Sequence, residues 1–234
     1  MKLKMKSILP LTSLALLLFT GASNAQIIYP ADNDFQSPGL SPGTLVVAPS
    51  GTPWTFSTPF SDVTTAPNEA GIASTGSQNI VNPPGGQSAF LQNVSSISQT
   101  ITLSTAASVS ITFDWEGRDP VSYTNAFNQN VTTGQDAITV MLGGILLFEG
   151  TPSNTTDFET ITTGSSVFLP GNYNLVFSGT SSGATSGTFT DNMTFVDNVQ
   201  VNTEAIPEPS TGGLVALGGA VLAALFRKRK SVKG

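Results

Sequence analysis

The sequence predicts an all-β fold, a single antiparallel β-sandwich, flanked by an N-terminal signal peptide and a short C-terminal transmembrane helix. Three observations carry this. Period-2 alternation of apolar and polar residues recurs between residues 26 and 202, where turn-forming Pro, Gly and Asn clusters punctuate the chain. Helical periodicity is hard to find there, and strands without intervening helices indicate an antiparallel sandwich. The two ends are apolar runs with basic flanks, so they read as addresses and not as parts of the domain.

The N-terminal address comes first. Lys2, Lys4 and Lys6 form a positive region, residues 8–19 an apolar one, and Ser23-Asn24-Ala25 a small-x-small cleavage site. Residues 1–25 are therefore expected to leave on export by the Sec machinery, with cleavage between Ala25 and Gln26. The domain is expected over residues 26–202, a length that suits one core. Within it, segments 88–94, 97–103, 109–115, 137–148, 173–177 and 193–201 read as strands. In 109–115 every odd position is apolar, which turns Val109, Ile111, Phe113 and Trp115 toward the core. Gly143-Gly144 interrupts one run as a hairpin turn or bulge would. Turns are expected at Pro83-Pro84-Gly85-Gly86, at Pro170-Gly171-Asn172 and over residues 181–187. No internal repeat is visible, which argues against a solenoid or propeller.

The C-terminal address follows a linker, residues 203–210. Pro207-Glu208-Pro209 gives a stiff, extended segment. Residues 211–226 carry no charge. As a helix they span about 24 Å, less than the roughly 20 residues of a stable anchor. Arg227, Lys228, Arg229 and Lys230 then form a basic stop, and residues 227–234 are expected on the cytoplasmic side. The order of Pro-Glu-Pro, short span and basic block resembles the PEP-CTERM sorting tail. That resemblance implies an exosortase-type membrane protease as partner and cleavage near Pro207, Glu208 and Pro209. It implies transient insertion in the inner membrane, then release to the cell surface or the extracellular space.

Charge and composition narrow the chemistry. Residues 26–209 hold one basic residue, Arg118, against 15 acidic ones, a formal charge of −14. A surface of that sign repels nucleic acid and anionic membranes. The chain has no His and no Cys, which excludes His-based triads, thiol chemistry and zinc sites. Asp114 and Glu116 lie on one face of their strand and, with Asp119 nearby, could support glycoside hydrolysis. The simpler reading is a polar outer face, and no catalytic residue is assigned.

The order of the strands carries a second resemblance. Asp32-Asn33-Asp34-Phe35-Gln36 near the mature start, the strand through Asp114-Trp115-Glu116-Gly117-Arg118, and the closing Phe195-Val196-Asp197-Asn198-Val199 are similar to galactose-binding-like jelly rolls. That family, rich in carbohydrate-binding modules, implies a jelly-roll sandwich and a prior for sugar. Arg118 could hydrogen-bond sugar hydroxyls or a uronate, with Tyr123 and Phe127 as stacking surfaces in the loop expected over residues 119–133. A salt bridge to a nearby acid, and core packing of the aromatics, are the alternatives. The resemblance also implies a structural Ca²⁺ between the opening and closing segments, at Asp34, Gln36 and Asp197, with Gln36 standing where the family has Glu. The reading is an exported surface or matrix protein associated with exopolysaccharide. Its alternatives are a structural or adhesion protein that binds proteins and, as a minor one, a glycoside hydrolase.

Overall fold

The structure is a computed structural model, and it describes residues 25–59, 68–77, 83–124, 130–180, 184–185, 188–206 and 218–219. Asn24–Ile206 form one compact unit. In chain order its strands begin with β1 (Ala25–Ile28), β2 (Leu45–Val47), β3 (Thr55–Ser57), β4 (Ala70–Ser74), β5 (Gln87–Gln92) and β6 (Ser96–Leu103). The long β7 (Ala107–Gly117) leads to β8 (Ser122–Thr124), β9 (Asn130–Gly134), β10 (Ile138–Leu142) and β11 (Ile145–Gly150). Then come β12 (Glu159–Thr162), β13 (Ser166–Phe168), β14 (Gly171–Gly179), β15 (Ala184–Thr185) and β16 (Thr188–Ala205).

Two sheets face each other. The first runs β12-β7-β16-β5-β4-β2, with β1, β9 and β15 also on β16, β13 on β7 and β8 on β9. The second runs β11-β10-β14-β6-β3. Pairing is antiparallel except between β9 and β16. The alternation of β7 is realised: Val109, Ile111 and Phe113 are fully buried and Trp115 is 4% exposed. Phe113 meets Trp115, Phe148 and Phe177 edge-on, at centroid distances of 6.0, 5.7 and 5.2 Å. Each such ring contributes about 1.5–3 kcal/mol by leaving water. Among the described residues, both apolar clusters and every strand lie within 24–206, so this unit carries its own core, as a domain able to fold by itself does.

Several local expectations are corrected. The segment 119–133 is not simply a loop, because β8 and β9 pair within it. Pro170-Gly171-Asn172 is not a turn of its own: β14 starts at Gly171 and pairs with β6 from there. The short strands β1 to β4 carry too few residues for alternation to reveal them. Gly143 and Gly144 do form the β10–β11 turn, with φ of +57° and +81°, the left-handed pair that a two-residue hairpin loop requires. The closing strand extends past residue 202 to Ala205.

Glu116 is the sharpest departure from the expected polar outer face. It is fully buried, although Asp114 on the same side is half-exposed. The cause is a second apolar cluster of Ala73, Phe90, Met193 and Phe195, with Leu45 and Phe158 against it. Phe195 is the register partner of Glu116, so this end of the outer face is covered.

Candidate functional site

The opening segment and the closing strand do meet, as the resemblance to galactose-binding-like jelly rolls implied. β16 pairs with β5 through residues 193–196 and with β1 through residues 201–204. Between them β16 bulges, with Asn198 at φ +49°. The opening segment fills that gap, where Val199 N–H donates to the Asn33 carbonyl at 2.9 Å. Asp197 is fully buried there. Burial pushes its carboxyl up to about 8; N–H groups of Asn198 and Gly85 pull it back, and Asp114 and Asp34 push it further up. The Gln36 amide nitrogen faces the Asp34 carbonyl at 2.7 Å and the Gln87 carbonyl at 3.4 Å. Among the described residues, no group of three or more His, Cys, Asp or Glu side chains could hold a metal ion.

Arg118 lies at another corner. It is 7% exposed, and its Nη1 pairs with Asp191 Oδ2 at 2.7 Å. Gln92 Nε2 donates to the other oxygen of Asp191. The expected ion pair is therefore present, but its partner is 73 residues away and was not named from the sequence. A lone cation among 15 acids must pair with one of them, and only the fold decides which. So held, the guanidinium does not project as a free ligand donor. The backbone of Tyr123 belongs to β8. Phe127 lies outside the described residues. Trp54 is core, with Nε1–H donating to the Asp32 carbonyl at 2.9 Å.

Of the acids considered for catalysis, Asp114 is hydrogen-bonded and Glu116 is buried. Asp114 accepts hydrogen bonds from Thr160 Oγ1 at 2.5 Å and Asn198 Nδ2 at 2.8 Å. Glu116 is fully buried, with Phe195 of the second apolar cluster as its register partner.

Among the described residues, shallow grooves lie on the outer faces of both sheets. One, of about 400 Å³, is on the first sheet and includes Ser108, Ser110, Asn202 and Glu204. Another, of about 370 Å³, is on the second sheet, lined by Ala31, Pro53, Thr55, Ser98, Gln99, Thr100 and Asn174. Its lining carries no charge. Ser98 and Thr100 of β6 share the outward side because Ile97 and Ile101 fill the core. Asn174 is the register partner of Thr100, and Thr55 of Ser98. None of these groove residues was singled out from the sequence, since polar outward positions of a strand look alike.

At the ends, Ala25 and Gln26 begin β1, opposite Glu204 and Thr203. A chain starting at Gln26 keeps the remaining pairs. Pro207, Glu208, Pro209, Arg227, Lys228, Arg229 and Lys230 lie outside the described residues. So does the 211–226 span, apart from a helical, exposed Gly218-Gly219. No helix among the described residues is long and apolar enough to cross a membrane.

Comparisons with known proteins bear on fold and address. No curated protein matches the chain in sequence. A Stig cyclase from Fischerella sp. TAU, in complex with (3Z)-3-(1-methyl-2-pyrrolidinylidene)-3H-indole, is 16% identical with a TM-score of 0.54, covering 78% of this chain and all 100% of that one. An apo cyclase from Fischerella sp. is likewise 16% identical at a TM-score of 0.54, over 78% and 97% of the two chains. TmCBM61 in complex with β-1,4-galactotriose is 13% identical at 0.44, over 74% and 96%. At such identities the cyclase likeness is one of fold. The PEP-CTERM protein-sorting motif matches residues 205–230, so the chain carries the sorting tail of exported, surface-directed proteins that an exosortase, a membrane protease, processes.

Proposed function

We propose that the protein is an exported surface or matrix protein whose non-catalytic β-sandwich associates with exopolysaccharide, and that the polymer is neutral. The observation that carries this is the uncharged groove on the second sheet, where the hydroxyls of Thr55, Ser98 and Thr100 and the amide of Asn174 lie beside Ala31 and Pro53. Such groups exchange hydrogen bonds with sugar hydroxyls as they do with water. The electrostatics support the neutral class. The single cation of residues 26–209 is held by Asp191, so a uronate or sulfated chain meets an acidic surface with no compensating charge.

Retention of residues 26–206 on immobilised neutral and uronic acid polysaccharides, backed by a glycan array with and without Ca²⁺, tests the reading. Retention is expected on a neutral polymer and not on the uronate. Asn174→Ala is expected to weaken it about three- to tenfold, the equivalent of one lost hydrogen bond. Absence of retention on every polymer would favour the rival, a structural or adhesion protein that binds other proteins. A specific observation favours that rival too. Ile145, Leu146 and Leu169 are 42, 49 and 68% exposed. Tyr173 links this region, because its hydroxyl donates to the Leu169 carbonyl and its ring lies beside Gly143.

A further inference from the structure

The resemblance to galactose-binding-like modules implies a Ca²⁺ that ties the opening segment to the sandwich. We propose that in this protein a pair of glutamine side chains, Gln36 and Gln87, does that work, and that the domain closes without a divalent cation.

The backbone carbonyls of Asp32, Asn33, Asp34, Phe35 and Pro38 already accept from N–H donors. Ca²⁺ takes six to eight oxygen ligands at about 2.3–2.6 Å. The Asp32 carbonyl accepts from Phe35 N–H at 3.1 Å and Trp54 Nε1 at 2.9 Å. The Asn33 carbonyl accepts from Val199 N–H at 2.9 Å. Asp34 is served by Gln36 Nε2 at 2.7 Å, and Phe35 and Pro38 by Gln87 Nε2 at 2.8 and 3.1 Å. Gln36 Nε2 also reaches the Gln87 carbonyl at 3.4 Å, and Gln87 Oε1 accepts from Leu40 N–H. Each glutamine thus binds the backbone of the other's segment.

The orientation of the Gln36 amide follows from chemistry. Its two neighbours are carbonyl oxygens, which only accept, so the NH₂ end must face them. A glutamate there would face both with nothing to donate. Gly85 makes room for the clasp, because a Cβ at that position would fall on Gln36 Nε2. The Gln36 amide nitrogen, 2.7 Å from the Asp34 carbonyl oxygen, already supplies that oxygen with a donor.

Thermal unfolding of the 26–206 domain in EDTA and in millimolar Ca²⁺ tests this. The parent is expected to melt at the same temperature in both, within about 2 °C. Gln36→Glu is expected to melt several degrees lower than the parent in EDTA and to recover in Ca²⁺, because a carboxylate and two carbonyls are oxygen ligands. Gln36→Met, which keeps the length and removes the donor, is expected to melt lower in both. Hydrogen exchange should place its loosening in residues 31–40. A parent that loses stability in EDTA overturns the proposal. So does a Gln36→Glu variant that matches the parent in EDTA, or one that Ca²⁺ leaves unchanged.

Discussion

At one buried corner Arg118 meets Asp191 at 2.7 Å with Gln92 on the same carboxylate, while at the other Gln36 and Gln87 hold the opening segment beside the buried carboxyl of Asp197. The first corner is closed by charge, the second by neutral amides. The difference follows from composition: a domain with a single basic residue between positions 26 and 209 has one ion pair of this kind to spend. Elsewhere its buried oxygens are met by neutral N–H and O–H groups, as the Asp136 carbonyl is by the Thr194 hydroxyl. A buried ion pair is fragile to the loss of one partner, because the other stays behind as an uncompensated charge. A neutral clasp loses hydrogen bonds one at a time, each worth about 0.5–1.5 kcal/mol net.

The largest expected effect breaks the charged corner. Arg118→Met should cost about 3–5 kcal/mol in urea unfolding, since it strands Asp191. From the sequence alone, Arg118 as an exposed partner is worth no more than about 1 kcal/mol, so this measurement separates burial from exposure directly. Adding Asp191→Asn should restore much of the loss. A single variant within 1 kcal/mol of the parent would show that the corner is solvated.

The next test sets pH against the neutral corner. In the unfolded chain Asp197 titrates near 3.8, and in the folded domain at about 8. Below the lower value both states are protonated and burial costs nothing. Between the two the unfolded chain ionises first, so stability falls as pH rises from about 4 to 8. Asp32 and Glu69 are also raised, each chiefly by burial, and contribute in the same direction. Melting temperature should therefore decline across that window, and Asp197→Asn should flatten the decline. An unchanged slope in the variant would mean that Asp197 is ionised when folded.

The smallest effect is a near-absence of one. Once both addresses are removed, the trypsin-sensitive bond left is Arg118–Asp119. With Arg118 7% exposed and paired, native digestion should proceed only as fast as the corner opens. The denatured chain should give two long fragments. Rapid native cleavage at Arg118 would place the charged corner among the mobile parts of the domain.

Much of the sandwich was legible because alternation is a local signal. The odd residues of 109–115 entered the core, and Gly143-Gly144 made a turn, since each depends on neighbours a few positions away. The strands before residue 75 were not legible, being three to five residues long. Glu116 misled for another reason: alternation gives its face but not what lies over that face.

The sequence by itself determined the address and the economy of charge. The sorting tail is a linear pattern read by export and processing machinery, and the count of cations needs no fold. The tertiary structure alone decided which acid receives Arg118, that Gln87 answers Gln36 across 51 positions, and that Asp197 lies fully out of water. These are matters of which distant segments the sheets bring together. Burial and pairing depend on surrounding atoms that linear spacing does not specify, so identical side chains can be a surface polar group in one strand and a buried clasp in the next.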